Sequence, residues 1–205
     1  MGKFYKAGKV VVVLNGKNAG AKGIIVKAFE STKDRKYPHC LVVGLSKGPR
    51  KPTKRNIAKL QDKIRKLESA EGQDNKATLL KSFGVFIKHY NMSHLLATRY
   101  TIKEDFGINK NLEKLDNLEK KVKEEKALID AKEKGKKEDN AKELEGLKAK
   151  YGNACNEYKS ELKNTKIKIG SEMYKRYMQG FNKGKKEEEI ENQQNTQFLF
   201  KKLKF

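Results

Sequence analysis

Hydrophobic residues fall into short β-branched runs in the first half of the chain and into spaced helical stripes in the second. Lys9–Leu14 (KVVVVL) has the composition of a buried strand, and Gly23–Phe29 (GIIVKAF) is its return partner. Between them lies NGKNAG, where Asn15, Gly16 and Gly20 supply positions that tolerate positive φ, so the pair reads as a hairpin with a loop longer than two residues. After the polar stretch ESTKDRKYP, His39–Leu45 predicts a third strand, Ser82–Tyr90 a fourth and Ala97–Ile102 a fifth. Short strands joined by glycine turns suggest a small barrel, which removes exposed sheet edges by closing on itself.

Three segments depart from that period. SKGPRKPTKR breaks regular structure at Gly48, Pro49 and Pro52. A helix then begins near Thr53, with Ile57, Leu60, Ile64 and Leu67 on one face, and stops at Gly72. Beyond Asn111, Leu115, Leu118, Val122 and Ile129 form one stripe, and Leu144, Leu147, Tyr151, Ala154, Tyr158 and Leu162 form another. The turn formers of Lys134–Asn140 separate the two stripes. Two antiparallel helices would bury them against each other, and one long coiled-coil arm is the alternative. Residues 171–205 mix YKRYMQGFNKGKK with the acidic Glu187–Glu191 and end in QFLFKKLKF. An extended tail with docked aromatics is expected there. The division that follows is 1–110, carrying a basic loop-helix insertion at 47–72, then a helical extension 111–170 and a tail 171–205.

Charge decides what such a chain binds. Lys and Arg total 48 against 26 Asp and Glu, a net +22, which calls for a polyanionic partner, nucleic acid or acidic membrane. The excess is concentrated: residues 1–110 hold 24 basic and 8 acidic side chains, whereas 111–150 hold 12 and 11. The extension is therefore suited to a protein contact or an exposed arm, and the first half to phosphate. Lysine far outnumbers arginine, which favours backbone neutralisation over base reading. MGKFYKAGK lacks the apolar run of a signal peptide, and Lys6 stands where a myristoylation site wants Ser or Thr. With Cys40 and Cys155 as the only cysteines, free thiols in a soluble intracellular protein are expected.

Catalytic chemistry finds little footing. A P-loop needs glycine at the sixth position from Gly16, where Ala21 stands, and a hydroxyl after Lys22, where Gly23 stands. His39-Cys40 is an adjacent pair with little specificity as a nucleophile. His39, His89 and His94 with scattered cysteines give no zinc spacing, so neither metal nor cofactor is expected. Phe83, Phe86 and Tyr90 lie at strand spacing and belong to the core. Tyr37, Tyr100, Tyr174, Tyr177 and Phe181 sit among basic residues, where stacking on unpaired bases and core packing are both open.

The hairpin itself matches the KOW pattern: strand Val10–Leu14, Gly20 as the obligatory glycine, Lys22 and Gly23, then strand Ile24–Val26. Lys17 and Lys22 would project from its tip towards phosphate. MGKFYKAGKVVVVLNGKNAGAKGIIVK, YNMSHLLATRYT and the terminal FLFKKLKF together resemble the eukaryotic family of large-subunit ribosomal protein number twenty-seven, which is unrelated to the bacterial protein of that number. The resemblance covers about the first hundred and the last thirty-five residues. Ser93 stands where the family's run has asparagine, and the 113–170 region is longer than the family's basic linker.

The resemblance implies an α+β protein. An SH3-like KOW barrel would carry the helix-containing insertion, the helical extension and an extended C-terminal tail lying along RNA. It implies a structural constituent of the large (60S) ribosomal subunit with no enzyme activity, working in the cytoplasm and assembled in the nucleolus. The partners implied are large-subunit ribosomal RNA and neighbouring ribosomal proteins. The candidate RNA-binding residues are Lys3, Lys6, Lys9, Lys17, Gly20, Lys22, Lys27, Arg35, Lys36, Lys47, Arg50, Lys51, Lys54, Arg55, Lys88, His94, Arg99, Arg176, Lys201, Lys202 and Lys204. A KOW-type transcription-elongation or RNA-processing factor that binds nucleic acid transiently is the alternative.

Overall fold

The computed structural model describes residues 4–31, 35–49, 53, 57–70, 73–103, 106–134, 141–179 and 187–201. It contains five strands, β1 (Lys9–Val13), β2 (Lys22–Phe29), β3 (His39–Lys47), β4 (Gly84–Asn91) and β5 (Leu95–Thr101), in one antiparallel sheet of order β4-β3-β2-β1-β5. Five helices accompany them: α1 (Ile57–Ser69), α2 (Gln73–Leu79), α3 (Ile108–Lys134), α4 (Ala141–Gln179) and α5 (Glu187–Phe200). The chain divides into two compact units. The first comprises Met1–Gly107 and Lys166–Phe205, and the second comprises Ile108–Thr165.

The sheet is open, and no ladder joins β4 to β5 among the described residues. It is nonetheless strongly coiled. In a flat sheet β4 and β5 would lie four strand spacings apart, about 19 Å. Only a 3-10 turn, Met92–His94, links them, and four Cα steps span at most about 14 Å. The edges must therefore curl towards each other. Irregular register at Lys9/Val11, Ile25/Lys27 and Leu45/Lys47 supplies the extra bend.

Coiling gives the sheet two buried faces, so β1 reads as four successive buried valines, Val10 to Val13. The concave core holds Val11, Val13, Ile25, Cys40, Val42, Phe86, Tyr90, Met92 and Leu95. Tyr5 reaches over it to donate to the Leu95 carbonyl at 2.9 Å. A second cluster forms where the last turns of α4 meet the chain before β4. Gly170 lies close to Leu80, Phe83 and Val85, and Tyr174 meets Phe83 edge-on at 5.6 Å. Lys63 of α1 joins in, its ammonium 4.8 Å from the Tyr174 ring and bonded to Ser82 Oγ at 3.2 Å.

Two expectations change. The five strands do not close into the expected barrel, since no ladder joins the edge strands β4 and β5 among the described residues. The tail is not extended: α4 runs on to Gln179, and α5 occupies Glu187–Phe200. Its aromatics dock on this chain's own sheet, and that tertiary contact selects helix where the sequence has little helical pattern. The short α2 follows α1 in a stretch for which the sequence predicted no element, because a two-turn helix carries too few apolar positions to show a stripe.

In the second unit α3 and α4 lie antiparallel. Burial raises the Tyr158 phenol above its ordinary value, with Glu119 and then Asp116 adding to it. The Tyr151 phenol is raised by its hydrogen bond and proximity to Cys155 on its own helix, and by Asp130 across on α3. Position 119 thus faces 158, and 130 faces 151, as in a helical hairpin. Leu115 and Ile129 are buried, as their stripe requires.

Candidate nucleic-acid interface

The Leu14–Ala21 loop shapes a concave basic part of the first unit. Gly16 and Gly20 have φ of +87° and +78°, the left-handed region where an L side chain is strained. A Cβ at either position would meet nothing within 4 Å, so backbone conformation alone calls for glycine. The loop is self-supporting: Ala19 N–H donates to Gly16 O, Gly20 N–H to Val13 O and Ala21 N–H to Asn18 O. Asn18 Nδ2 is tied to the Tyr90 hydroxyl at 2.9 Å, and Leu14 N–H to the His94 carbonyl. Lys17 is left exposed at the tip.

Lys22 does not project beside it. It is 5 % exposed, and its ammonium donates to the carbonyls of Phe198 at 2.7 Å and Lys201 at 2.8 Å while lying 3.8 Å from the Phe198 ring. Burial, and then the charge of Lys201, push it below the ordinary lysine range. The expectation that Lys22 meets phosphate is corrected. Side chains alternate along a strand, and at β2's first residue this one turns under α5. The same contact stacks Phe198 on Tyr100 at 4.0 Å between centroids. Asn195 Nδ2 donates to the Thr101 carbonyl at 3.0 Å.

A cleft of about 350 Å³ opens at this junction, lined by the loop from Lys17 to Lys22, by Leu45, Ser46 and Gly48 after the β3 bend, and by Leu199, Phe200 and Lys201. Lys17 and Lys201 are its exposed cations, and Lys47, also exposed, lies between two lining residues. The other candidates are dispersed. Lys6, Lys27, Lys36, Lys88, His94, Arg99 and Arg176 are exposed, while Lys9 and Arg35 are half-buried. Arg99 lies 5.1 Å from the Tyr100 ring, and Lys88 5.4 Å from that of Tyr90. Lys3, Arg50, Lys51, Lys54, Arg55, Lys202 and Lys204 fall outside the described residues.

Of the aromatics left open, Tyr100 stacks on Phe198, and Tyr174 is buried against Phe83. Tyr177 meets Phe200 at 5.1 Å. Tyr37, 44 % exposed, remains presented to solvent, and Phe181 lies outside the described residues. Sequence reading missed a ring cluster of Phe29, His39 and His89, with centroids 5.0 to 5.6 Å apart. Strand register makes it: His39 pairs with Phe29 across β2–β3, and His89 with Leu41 across β3–β4.

Cys40 and His39 are no nucleophile pair. Adjacent strand residues point to opposite faces, and Cys40 is fully buried in the core. Burial pushes its thiol up from 9.0 to about 11. The folded value exceeds the unfolded one, so this group's contribution to stability is complete below pH 9 and is lost as pH rises towards 11. At pH 8 native Cys40 should resist iodoacetamide, while the half-buried Cys155 reacts. Equal alkylation rates would contradict the core position. Among the described residues no group of three or more His, Cys, Asp or Glu could hold a metal ion, and no helix is long and apolar enough to cross a membrane.

Comparison with known proteins adds a second line of observation. The Ribosomal L27e protein family matches residues 10–151. "Large ribosomal subunit protein eL27" of Pyrobotrys stellatus is 49% identical over 107 residues, covering 52% of this chain and 68% of that protein. The Tetrahymena thermophila protein of the same name is 41% identical over 128 residues, 61% of this chain and 76% of its own. That of Caenorhabditis elegans is 36% identical over 135 residues, 65% and 86% respectively. The family match takes in the whole sheet from Val10 onward, together with α3 and the start of α4.

Proposed function

Because this chain belongs to the Ribosomal L27e protein family, we propose that its loop–cleft surface neutralises the backbone of large-subunit ribosomal RNA. The protein is a structural constituent of the ribosome acting in translation. The observation that carries the RNA reading is the glycine-cornered loop that presents Lys17, together with Lys201, at a concave surface. Lysines on a fixed backbone suit phosphate, whose positions are set by RNA shape and carry no base identity. The coiled five-stranded sheet, with a 3-10 turn before its last strand, is read as the SH3-like KOW scaffold. We assign the protein to the cytoplasmic 60S subunit, with incorporation in the nucleolus, and no enzymatic step to it.

Sucrose-gradient fractionation of tagged protein tests this. The protein should stay with large subunits through a high-salt wash. A transient KOW-type factor would move to the top fractions, because its few phosphate contacts lose affinity steeply with salt.

The α3–α4 hairpin is read as a protein-facing arm, since residues 111–150 are almost neutral. Positions 119 and 158 face each other, so replacing residues 121–156 by a short glycine-rich turn keeps the remaining helix ends paired. That variant should enter large subunits as well as the intact chain does. Its exclusion from subunits would show that the arm is needed for incorporation.

A further inference from the structure

Lys22 is the only lysine buried to this degree among the described residues, and no carboxylate accompanies it. What compensates its charge is the end of a helix. The last carbonyls of α5 have no intrahelical donor, and the helix dipole places partial negative charge there. The ammonium satisfies the Phe198 carbonyl of that last turn and the Lys201 carbonyl just past it, and covers the Phe198 ring. A second polar tie, Asn195 to Thr101, and the stack of Phe198 on Tyr100 fix the same helix to β5. Leu199 and Phe200 are then buried, and Lys201 stands exposed at the cleft.

One wall of that cleft is therefore separable in sequence from the other two. Lys17 and Lys201 are 184 residues apart and share a rim only while α5 is docked. The volume, about 350 Å³, is at the small end of the range of roughly 300–1,000 Å³ typical of small-ligand sites. That is room for one nucleotide unit, not for a duplex.

We propose that Lys22 is a positioning residue: it latches α5 to the sheet, and the composite cleft so formed holds one unpaired nucleotide of the RNA, with its phosphate between Lys17 and Lys201. The nucleotide assignment rests on the RNA reading above; the latch does not. Lys22 acts through Lys201 and touches no RNA. It also orders the C-terminal helix before any RNA is met.

The test uses the full chain. Lys22→Met keeps an unbranched stem one atom shorter and removes the donors. Amide hydrogen exchange over 194–201 should quicken about tenfold or more, while exchange in β1 to β4 is unchanged. Affinity for a uridine octanucleotide should fall about fivefold, as it does for Lys201→Gln, and Lys22→Met/Lys201→Gln should lose no more than either alone. Unchanged exchange in 194–201 overturns the latch. Released helix with full oligonucleotide affinity overturns the cleft, and additive losses would mean that Lys22 meets RNA directly. Should Lys22→Met not fold, Phe198→Ala, which removes the ring beneath the ammonium, must give the same two signatures. If the wild-type chain ignores the oligonucleotide, the nucleotide assignment falls with the RNA reading, and the exchange experiment still decides the latch.

Discussion

Gly44→Ala is expected to destabilise the native chain by about 3 kcal/mol, the upper end of what overpacking costs. Gly44 lies opposite Gly23 in the β2–β3 ladder. A Cβ there would come within 2.6 Å of the Lys22 carbonyl oxygen and 2.5 Å of Phe86 Cζ. The oxygen belongs to a strand held on both sides, and Phe86 is buried in the concave core, so neither can withdraw cheaply. The urea midpoint should drop by more than about 1 M. Gly20→Ala is the comparison, because its Cβ would meet open space. It should cost only the strain of a left-handed residue, about 1–2 kcal/mol. If Gly44→Ala proves as mild as Gly20→Ala, the close approach of the two strands is not what the structure shows.

Neutralising the two exposed cations of the cleft together with Lys47, which lies in sequence between the lining Ser46 and Gly48, is expected to have the largest effect on binding. Lys17→Gln/Lys47→Gln/Lys201→Gln should weaken association with single-stranded ribosomal RNA fragments by roughly thirtyfold near 0.1 M salt. The slope of log affinity against log salt should shrink by about 2, since each lost phosphate contact removes about 0.7 on single strands. A matched triple change on the helical hairpin, Lys114→Gln/Lys120→Gln/Lys123→Gln, should leave the slope alone. Lys123 is already paired with Glu119 at 3.0 Å. Equal slopes for the two triples would move the binding face away from the loop.

All five strands were legible in the sequence because β-branched runs separated by glycine and proline leave few other choices. Their ends were less so. β1 stops at Val13 because Leu14 turns into the loop and stands 53 % exposed, and β3 runs two residues further, to Lys47. Closure was not legible at all. The same alternation suits a closed barrel and a coiled open sheet, and only the three-residue link between β4 and β5 shows how far the coil goes. The paired stripes of α3 and α4 could be read off because each is long enough to repeat. In α5, ENQQNTQFLF carries no repeating stripe, and its helix is chosen by contacts with residues some 95 to 180 positions away.

The candidate site divides along the same line. Gly16, Gly20 and Lys17 owe their roles to local backbone, which sequence encodes directly. Lys22 owes its role to a distant helix end. In a chain of 48 basic residues nothing local distinguishes Lys22, the one lysine buried to this degree among the described residues. For Tyr174 and Tyr177 the sequence left the choice open for a related reason: basic neighbours on a helix surface say nothing about the face that packs.

The bonds that complete the first unit join opposite ends of the polypeptide. Thr98 Oγ1 donates to the Val10 carbonyl across 88 positions, and Lys22 reaches Lys201 across 179. While the chain is being synthesised, β1 has β2 for company but its other edge stays bare until β5 emerges, and the clasp on α5 cannot form before residue 201 has been added. Such long-range closures slow the search for the native state.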